Sequence, residues 1–480
     1  EGLCKQEQCS LWDPYEGKRI VDGFLADRAK QHRMKLKKGL DSYMAKYGHS
    51  EVPVELEAEY SCRDVAHTLL LDRAQRSRAL ALGTAHEEER RYLYWNEMML
   101  VRALAQMQWA GQPIDVEYLK HFRDELDVEL DTQVSHLNSI FHTTEVRWHN
   151  DNDVRDFLYN HLKLPVVERT KRGKQPSVAR SALLQLRGRD PRLEFLAEYN
   201  AHHKVRTTYT DSLIELVSPD GRVHGNFRQI GTDTGRLSSN EPNLQNIPAR
   251  HPTLAPRVRR AFLCDPGTGR VFCDYSQIEL CGLAFYTGSA PLNAAYASQA
   301  YDRYCADAID YNTYVWERAH EPSTDVHGLQ ATRVFGVQPT DPEFKPKRRA
   351  AKIINFGVPY GMGPAGLQSN PELLLGEDEA KMYFDKYHKA NPEIERTKRE
   401  LFKTMRSRHG CYFVNWAGRC RHGRDLRAND RERRGSAERS IFASLIQGSA
   451  AELTRFSLVA LYLAEQSGQF PGTVTSTVHD

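Results

Sequence analysis

Net charge is nearly absent from this 480-residue sequence: 66 Lys and Arg stand against 63 Asp and Glu, leaving +3. A chain so balanced is not a polycation of the histone type, and any affinity for nucleic acid has to come from local clusters. Long apolar runs are missing too, the longest being Val459 to Ala464, far short of a bilayer crossing. The nine cysteines include no Cys-x-x-Cys pair, which argues against a disulfide framework or a thiolate zinc site and leaves reduced, mostly buried thiols as the expectation. No basic-then-apolar signal segment opens the chain, and no internal repeat is visible. What remains, with 40% hydrophobic residues and a mean hydropathy of −0.63, is a soluble globular protein without a membrane span, long enough for roughly three domains.

Residues 92–111 are dense in Leu, Met and Trp and stop at Gly111 with Pro113 beyond, which predicts a buried helix. Asp115 then reads as an N-cap, and Leu119, Phe122, Leu126, Leu130, Val134, Leu137 and Ile140 recur at steps of three or four along one helix. A shorter helix is expected from His149–Asp153 to about Leu164, followed by a basic loop, Glu168 to Pro176. The segment Gly231 to Pro248 has almost nothing large and apolar, yet its Asn, Gln, Arg and Thr side chains are too varied for a Gly/Ser linker. Arg270 to Tyr275 (RVFCDY) reads as a β-type run, with a helix from Ser276 to Tyr286 behind it. Residues 400–439 hold eleven Lys/Arg and five Asp/Glu, and a helical apolar stretch runs from Ala437 to Glu465. The closing run Thr473 to Val478 is mostly β-branched and delivers His479 and Asp480.

Two features bear on chemistry. Asp274 and Asp480 both fall at expected strand ends, and they meet if the two strands are neighbours in one sheet. Hard cations such as Mg²⁺ take carboxylate oxygens and share them with phosphates, so such a pair needs no His or Cys. In a chain with 63 acidic residues the same pair also fits ordinary solvated carboxylates. The run Lys347 to Gly361 (KRRAAKIINFGVPYG) is sharper. On a helix, Arg348, Lys352, Phe356 and Tyr360 share one face, two cations followed by two aromatics. Cations neutralise a polyphosphate, and an aromatic ring stacks on any base. A plain amphipathic helix with a charged flank is the other reading of the same spacing.

Five ordered motifs, DTGRLSSNEPNLQNIP, CDYSQIEL, RRAAKIINFGVPYG, IQGSAAEL and the terminal VHD, together resemble the family A DNA polymerases, the bacterial DNA polymerase I group with its phage and organellar relatives. The resemblance implies an α+β fold: a palm on an antiparallel sheet carrying both aspartates, helical fingers and thumb, and part of an α/β 3′→5′ exonuclease-like domain in front. The implied boundaries are 1–91 for that partial domain, 92–230 for thumb and connecting helices, 231–286 for the first part of the palm, 287–436 for the fingers and 437–480 for the rest of the palm. It implies template-directed DNA synthesis on primer-template DNA from deoxynucleoside triphosphates, with two Mg²⁺ bound by Asp274, Asp480 and the Tyr275 carbonyl. Arg348 and Lys352 would grip the triphosphate, with Lys352 as proton donor to the leaving group. Phe356 and Tyr360 would flank the incoming and templating bases, and Tyr275, Gln277 and Glu279 would line the nucleotide site, Glu279 blocking a 2′-hydroxyl. Arg236 and Gln447 match readers of minor-groove acceptors, Asn243, Gln245 and Asn246 match duplex contacts, and His479 matches a residue beside the primer end. Tyr60 and Asp64 match a Tyr-x-x-x-Asp exonuclease motif, for which no upstream Asp-x-Glu is found.

The sequence departs from the family pattern at Cys281, where Arg is common, at Ala443, where Asn is common, and at Pro359, which should kink or end the helix about one residue before Tyr360. Residues 287–324 look like an inserted element. Starting at Glu1 and closing at Asp480, the sequence reads as a fragment at both ends. Such a piece is expected to bind primer-template, to polymerise poorly or not at all, and not to proofread. Its compartment is unassigned beyond one containing DNA. A single-subunit RNA polymerase and a non-catalytic DNA-binding remnant are the rival readings, the first opposed by Glu279 and the second favoured by Cys281 and Pro359.

Overall fold

The computed structural model describes residues 87–478 except 171–172, 249–250, 276, 298, 307, 311–312, 314–316, 318–324, 371–372 and 374, together with residue 62 and a helical stretch at 65–74. Tyr60, Asp64, His479 and Asp480 lie outside the described residues. The chain divides into two compact units, Glu1–Glu88 and Glu89–Asp480, and the second carries all five motifs.

Helices dominate this second unit. Helix α1 (Glu87–Ala110) ends at Gly111, and α2 (Val116–Phe141) begins where the Asp115 carboxylate accepts the Tyr118 amide at 2.9 Å. That bond satisfies one of the amides a helix N-terminus leaves open. The expected stripe is the buried face of α2, with Leu119, Phe122 and Leu126 fully enclosed. Helix α1 corrects its expectation: Leu100, Leu104 and Met107 are buried, but Tyr92, Trp95 and Trp109 are exposed, so it is two-faced. Helices α3 (Arg180–Leu186), α4 (Leu193–Lys204) and α5 (Leu254–Arg260) follow, then α6 (Ile278–Thr287), α7 (Ala290–Tyr296), α8 (Val326–Phe335), α9 (Phe344–Gly357), α10 (Glu377–Ala390), α11 (Pro392–Ser407) and the 36-residue α12 (Arg431–Gln466).

Strands are few among the described residues. Three antiparallel ribbons pair β1 (Gln112–Pro113) with β2 (Arg222–Val223), β3 (Asn226–Arg228) with β4 (Ser238–Asn240), and β5 (Tyr412–Val414) with β6 (Cys420–His422). The β-type runs expected at 270–275 and 473–478 are not strands. Val271 and Phe272 are each 84% exposed, and among the described residues no neighbouring segment supplies the ladder of hydrogen bonds that a strand needs. β-branched composition sets a preference, and a partner has to realise it. The thiols also differ from expectation: Cys411 is buried and Cys281 half-buried, whereas Cys62, Cys264, Cys273, Cys305 and Cys420 are exposed because they sit outside the apolar cores.

Three cores hold the unit together. The first gathers Leu130, Leu137 and Phe141 of α2 against Leu183, Leu193 and Leu196. The second packs α1 and the start of α2 against Phe227, Val258, Leu458 and Val459. The third joins Leu283, Ile354, Tyr387, Ile394 and Met405 to Ile441, Phe442, Leu445 and Ile446. Helix α2 therefore bridges the first two cores and α12 the last two, so the pieces carrying the sequence motifs are fixed by two long helices.

Replacing Asp115 by Ala removes the cap of α2, and urea unfolding is expected to show a loss of about 1 kcal/mol. No measurable loss would mean that the cap contributes nothing to stability.

Candidate functional site

The loop of residues 231–248, helix α6 and the turn after α9 meet on one carboxylate. Gln277, in the left-handed region at φ 56° and ψ 38°, turns the chain into α6, and Glu279 sits in the helix's first turn, where a negative charge suits the open amides. Only 14% of the Glu279 side chain is exposed. Its Oε1 accepts from the Arg236 Nη2, and its Oε2 accepts from the Tyr360 hydroxyl at 2.7 Å. Burial, reinforced by the charge of Glu279 and by this bond, holds the Tyr360 phenol well above its ordinary range, so Tyr360 remains a donor.

Helix α9 presents the cations. It ends at Gly357, two residues before Pro359, which lies in the following turn where its missing amide breaks no helical bond. Tyr360 therefore does not continue the helical face of Arg348, Lys352 and Phe356, and the turn sends its hydroxyl to Glu279. Lys352 is exposed. The Arg348 Nε donates to Asp325 Oδ2 at 2.5 Å. Burial works to raise the Asp325 carboxyl, but the bonds from Arg348 and the Gly328 amide outweigh it and keep the group below its usual value. Phe356 lies with its ring centre 5.6 Å from that of His327, whose Nδ1 accepts from the Asn355 amide at 3.3 Å. Burial first, then the charges of Lys352 and Arg348, push His327 down to about 4.

The Arg236 loop presses on α12. Gly448 has no side chain, and a Cβ there would stand 2.8 Å from the Thr234 carbonyl, so glycine is what lets the loop approach. Gln447, beside it, is half-buried. Asn243 and Asn246 are exposed, Asn243 capping a 3₁₀ turn through the Gln245 amide at 3.1 Å. Gln245, expected as a duplex contact, is 7% exposed, and its Nε2 has no partner among the described residues. Asp274 is exposed in a segment without regular structure, paired with no cation among the described residues, and the Tyr275 hydroxyl meets the Ser457 hydroxyl on α12. Glu279, Arg236 and Tyr360 are thus brought together, as are Arg348, Lys352 and Phe356. The second aspartate lies outside the described residues.

Residues 116–480 match the model of DNA polymerase family A. The chain belongs to that family. It is similar to the thermostable DNA polymerase I of Thermus caldophilus, 34% identical over 406 residues that make up 83% of this chain and 44% of the relative. It is also similar to DNA polymerase I of Chloroflexus aurantiacus, 32% identical over 90% of this chain and 42% of that one. The chain thus spans less than half the length of these relatives. Among solved structures, the POL domain of Pol1 from M. smegmatis, in complex with DNA primer-template and dNTP, superposes with a TM-score of 0.66 at 27% identity, covering 80% of this chain and 62% of that one.

Two departures from the family pattern acquire a setting. Cys281 is half-buried beside the hydroxyl of Tyr296 on α7, which also donates to Gln277 Oε1 at 3.2 Å. Ala443 is half-buried on α12. Motif reading passes over Asp325 and His327, and also Glu97, Arg419, Glu452 and Arg455, a charge cluster in which Glu452 and Arg455 are buried and Glu97 and Arg419 half-buried. The available signal is Glu452 and Arg455, three apart and the only charged residues between Ser440 and Ala464.

The depressed His327 pKa sets a pH dependence. The unfolded chain protonates near 6.5 and the folded one near 4, so within that window the unfolded state binds more proton. The stability this group contributes is complete above the window and declines as pH falls through it, at up to about 1.4 kcal/mol per unit. Comparing unfolding free energies at pH 7 and pH 5, His327→Gln should lose less stability than the parent protein. An identical loss in both would assign the acid sensitivity elsewhere.

Proposed function

We propose that this protein carries out template-directed DNA synthesis, adding deoxynucleotides to a primer 3′ end. The observation that carries the reading is the Glu279 node, where three motif segments far apart in the chain converge on a single carboxylate. A polymerase in the same family, solved with primer-template and dNTP, shares the fold and so supports the choice of substrates. In this reading residues 231–286 and 437–480 belong to the palm, 287–436 to the fingers and 92–230 to the thumb and its connecting helices.

The roles follow from the chemistry of each group. Arg348 and Lys352 receive the triphosphate. Arg348 leaves the Asp325 carboxylate for a phosphate, exchanging one charge-assisted bond for another, so that the site is ready for an anion while its guanidinium stays paired. Lys352, exposed and one turn further on, is placed to donate a proton as pyrophosphate leaves. Phe356 offers a ring face to the incoming nucleotide. Glu279, held by two donors and mostly enclosed, cannot move aside for an extra hydroxyl on the sugar, and a 2′-hydroxyl wedged against it would lack room and a satisfied partner. That speaks against RNA synthesis. Arg236 and Gln447 would test the minor-groove acceptors that every Watson–Crick pair shares, and so judge geometry rather than sequence. The exposed Arg408, Arg424 and Arg431 of the basic stretch suit the phosphate backbone.

The donor chemistry fits a hard divalent cation: Asp274 is an exposed carboxylate next to the Tyr275 carbonyl, an all-oxygen set with no competing cation among the described residues. Asp274, Asp480 and that carbonyl would hold two Mg²⁺, which when bound lower the pKa of the primer hydroxyl and neutralise the departing pyrophosphate.

With Mg²⁺ and a labelled primer-template, Asp274→Ala in the full-length protein is expected to abolish extension while duplex binding is largely retained, because phosphate contacts supply most of the affinity. A loss under about tenfold, or about 1.4 kcal/mol of barrier, would remove Asp274 from the chemistry. In the same assay, Glu279→Ala should raise ribonucleotide incorporation relative to deoxynucleotide by about tenfold or more. An unchanged ratio would place sugar selection elsewhere.

A further inference from the structure

The motif residues do not hold themselves in place. Arg236 lies on a loop without regular structure, and only its neighbours decide where its guanidinium points. One residue away, the Gly235 carbonyl accepts from Arg455 on α12 twice, from Nε at 3.0 Å and from Nη2 at 2.6 Å. The same Nη2 donates to the carbonyl of Gln229 at the other end of the loop. The remaining arm, Nη1, donates to both oxygens of Glu97 on α1, each at 2.6 Å. Arg455 is 1% exposed, so one buried guanidinium spans a carboxylate on one helix and both ends of the loop that carries Arg236.

The carboxylates are held in turn. Glu97 also accepts from Arg419 Nη2 at 2.6 Å and from the Gln229 amide at 3.0 Å. Arg419, which begins the turn into β6, bonds Glu452 of α12 through Nε and, at 3.1 Å, through Nη2. Burial would lower the Arg419 guanidinium, yet its two carboxylate partners keep it above its ordinary value. The loop is fitted to this cluster: Gly235 has φ +84°, and a Cβ on it would lie 3.6 Å from Arg419 Cδ and 4.0 Å from Glu452. Two carboxylates and two guanidiniums balance in charge; Glu97, Arg419 and Arg455 each reach more than one partner, and Glu452 takes two bonds from Arg419, the condition under which enclosed ions are tolerated.

We propose that Arg455 and Glu97 are positioning residues for substrate selection: the buried cluster sets the loop at 229–235 so that Arg236 meets Glu279. The inference rests on the roles proposed for Glu279 and Arg236. Neither Arg455 nor Glu97 touches the reacting groups in this scheme. Their effect passes through the backbone at Gly235 into the Arg236–Glu279 bond, and so into the fit of sugar and base pair. A lysine at 455 would keep the charge opposite Glu97, but a single ammonium cannot also reach two carbonyls in the fork geometry of a guanidinium.

The test is a double-mutant cycle in the full-length protein. Single-turnover incorporation of a matched deoxynucleotide and of the corresponding ribonucleotide is measured on primer-template with Mg²⁺ for the parent, Arg455→Lys, Arg236→Ala and the double variant, at a temperature where circular dichroism shows each to be folded. Displacing a contact by about 1 Å can cost on the order of a hundredfold in rate. Arg455→Lys is therefore expected to slow deoxynucleotide incorporation about tenfold or more and to narrow the discrimination against ribonucleotide. In the Arg236→Ala background the same change should have an effect of about threefold or less, because the group being positioned is already gone. A general structural role would give the same factor in both backgrounds, and that result would overturn the proposal. Should Arg455→Lys not fold, Glu97→Gln, which keeps shape and volume, enters the same cycle with the same expectation. Glu279→Ala separates the two levels. If it relaxes sugar selection while neither Arg455→Lys nor Glu97→Gln does, the positioning role alone fails. If it leaves selection unchanged, the reading of the site fails and the positioning role falls with it.

Discussion

Glu97 of α1, Arg419 before β6, and Glu452 and Arg455 in the middle of α12 form one set of charges, and much of the unit is referred to it. Above them on the helix, Ile441, Phe442, Leu445 and Ile446 pack into one apolar core; below them, Leu458 and Val459 pack into another. Apolar contacts are non-directional and tolerate small slips. Bonds at 2.6 Å from a guanidinium to a carboxylate and to named carbonyls do not. The cores supply the affinity between elements, and the ions supply the register. Removing the partner of an enclosed member such as Arg455 costs about 3–5 kcal/mol, because the charge left behind is out of water and without its carboxylate.

The same logic, on a smaller scale, runs through the candidate site. Two cationic side chains of the site already have a carboxylate partner, whereas Lys352 is exposed. Arg348 rests on Asp325, and Arg236 and Tyr360 rest on Glu279. In the proposed function, triphosphate binding at Arg348 would be an exchange of partners rather than the desolvation of a naked ion, which would lower the reorganisation needed. His327 fits the pattern from the other side. Enclosed beside Lys352 and Arg348, it stays neutral and adds no third positive charge beside that face of helix α9.

Much of this is legible in the sequence where local rules decide. The three-and-four spacing from Leu119 to Leu137 and the cap at Asp115 define α2 almost to the residue, because periodicity and capping are properties of a segment by itself. Pro359 signals the end of α9, and the structure ends it two residues earlier, at Gly357. The run at 270–275 fails the other way: its composition favours a strand, but pairing is a property of two segments and no composition supplies the second. Within the site, Arg236, Glu279, Tyr360, Arg348 and Lys352 can be named from motifs. Their mutual contacts cannot, since a motif fixes residue type and order but not which carboxylate two distant donors will share. Glu97 and Arg455 are least visible. A charged residue is ordinarily a surface residue, and only the approach of α1, α12 and the turn into β6 shows that Arg455 is enclosed and Glu97 half-buried against it.

The central claim is that this site copies a template, and the most direct measurement varies the template alone. Single-nucleotide incorporation by the full-length protein is followed with Mg²⁺ on four primer-templates that differ only in the base opposite the next position. In each case the complementary deoxynucleotide should be added in preference to the other three by about two orders of magnitude or more, since selection rests on pair geometry rather than on a pocket for one base. Addition of the same nucleotide on all four templates, or no addition on any, would contradict it.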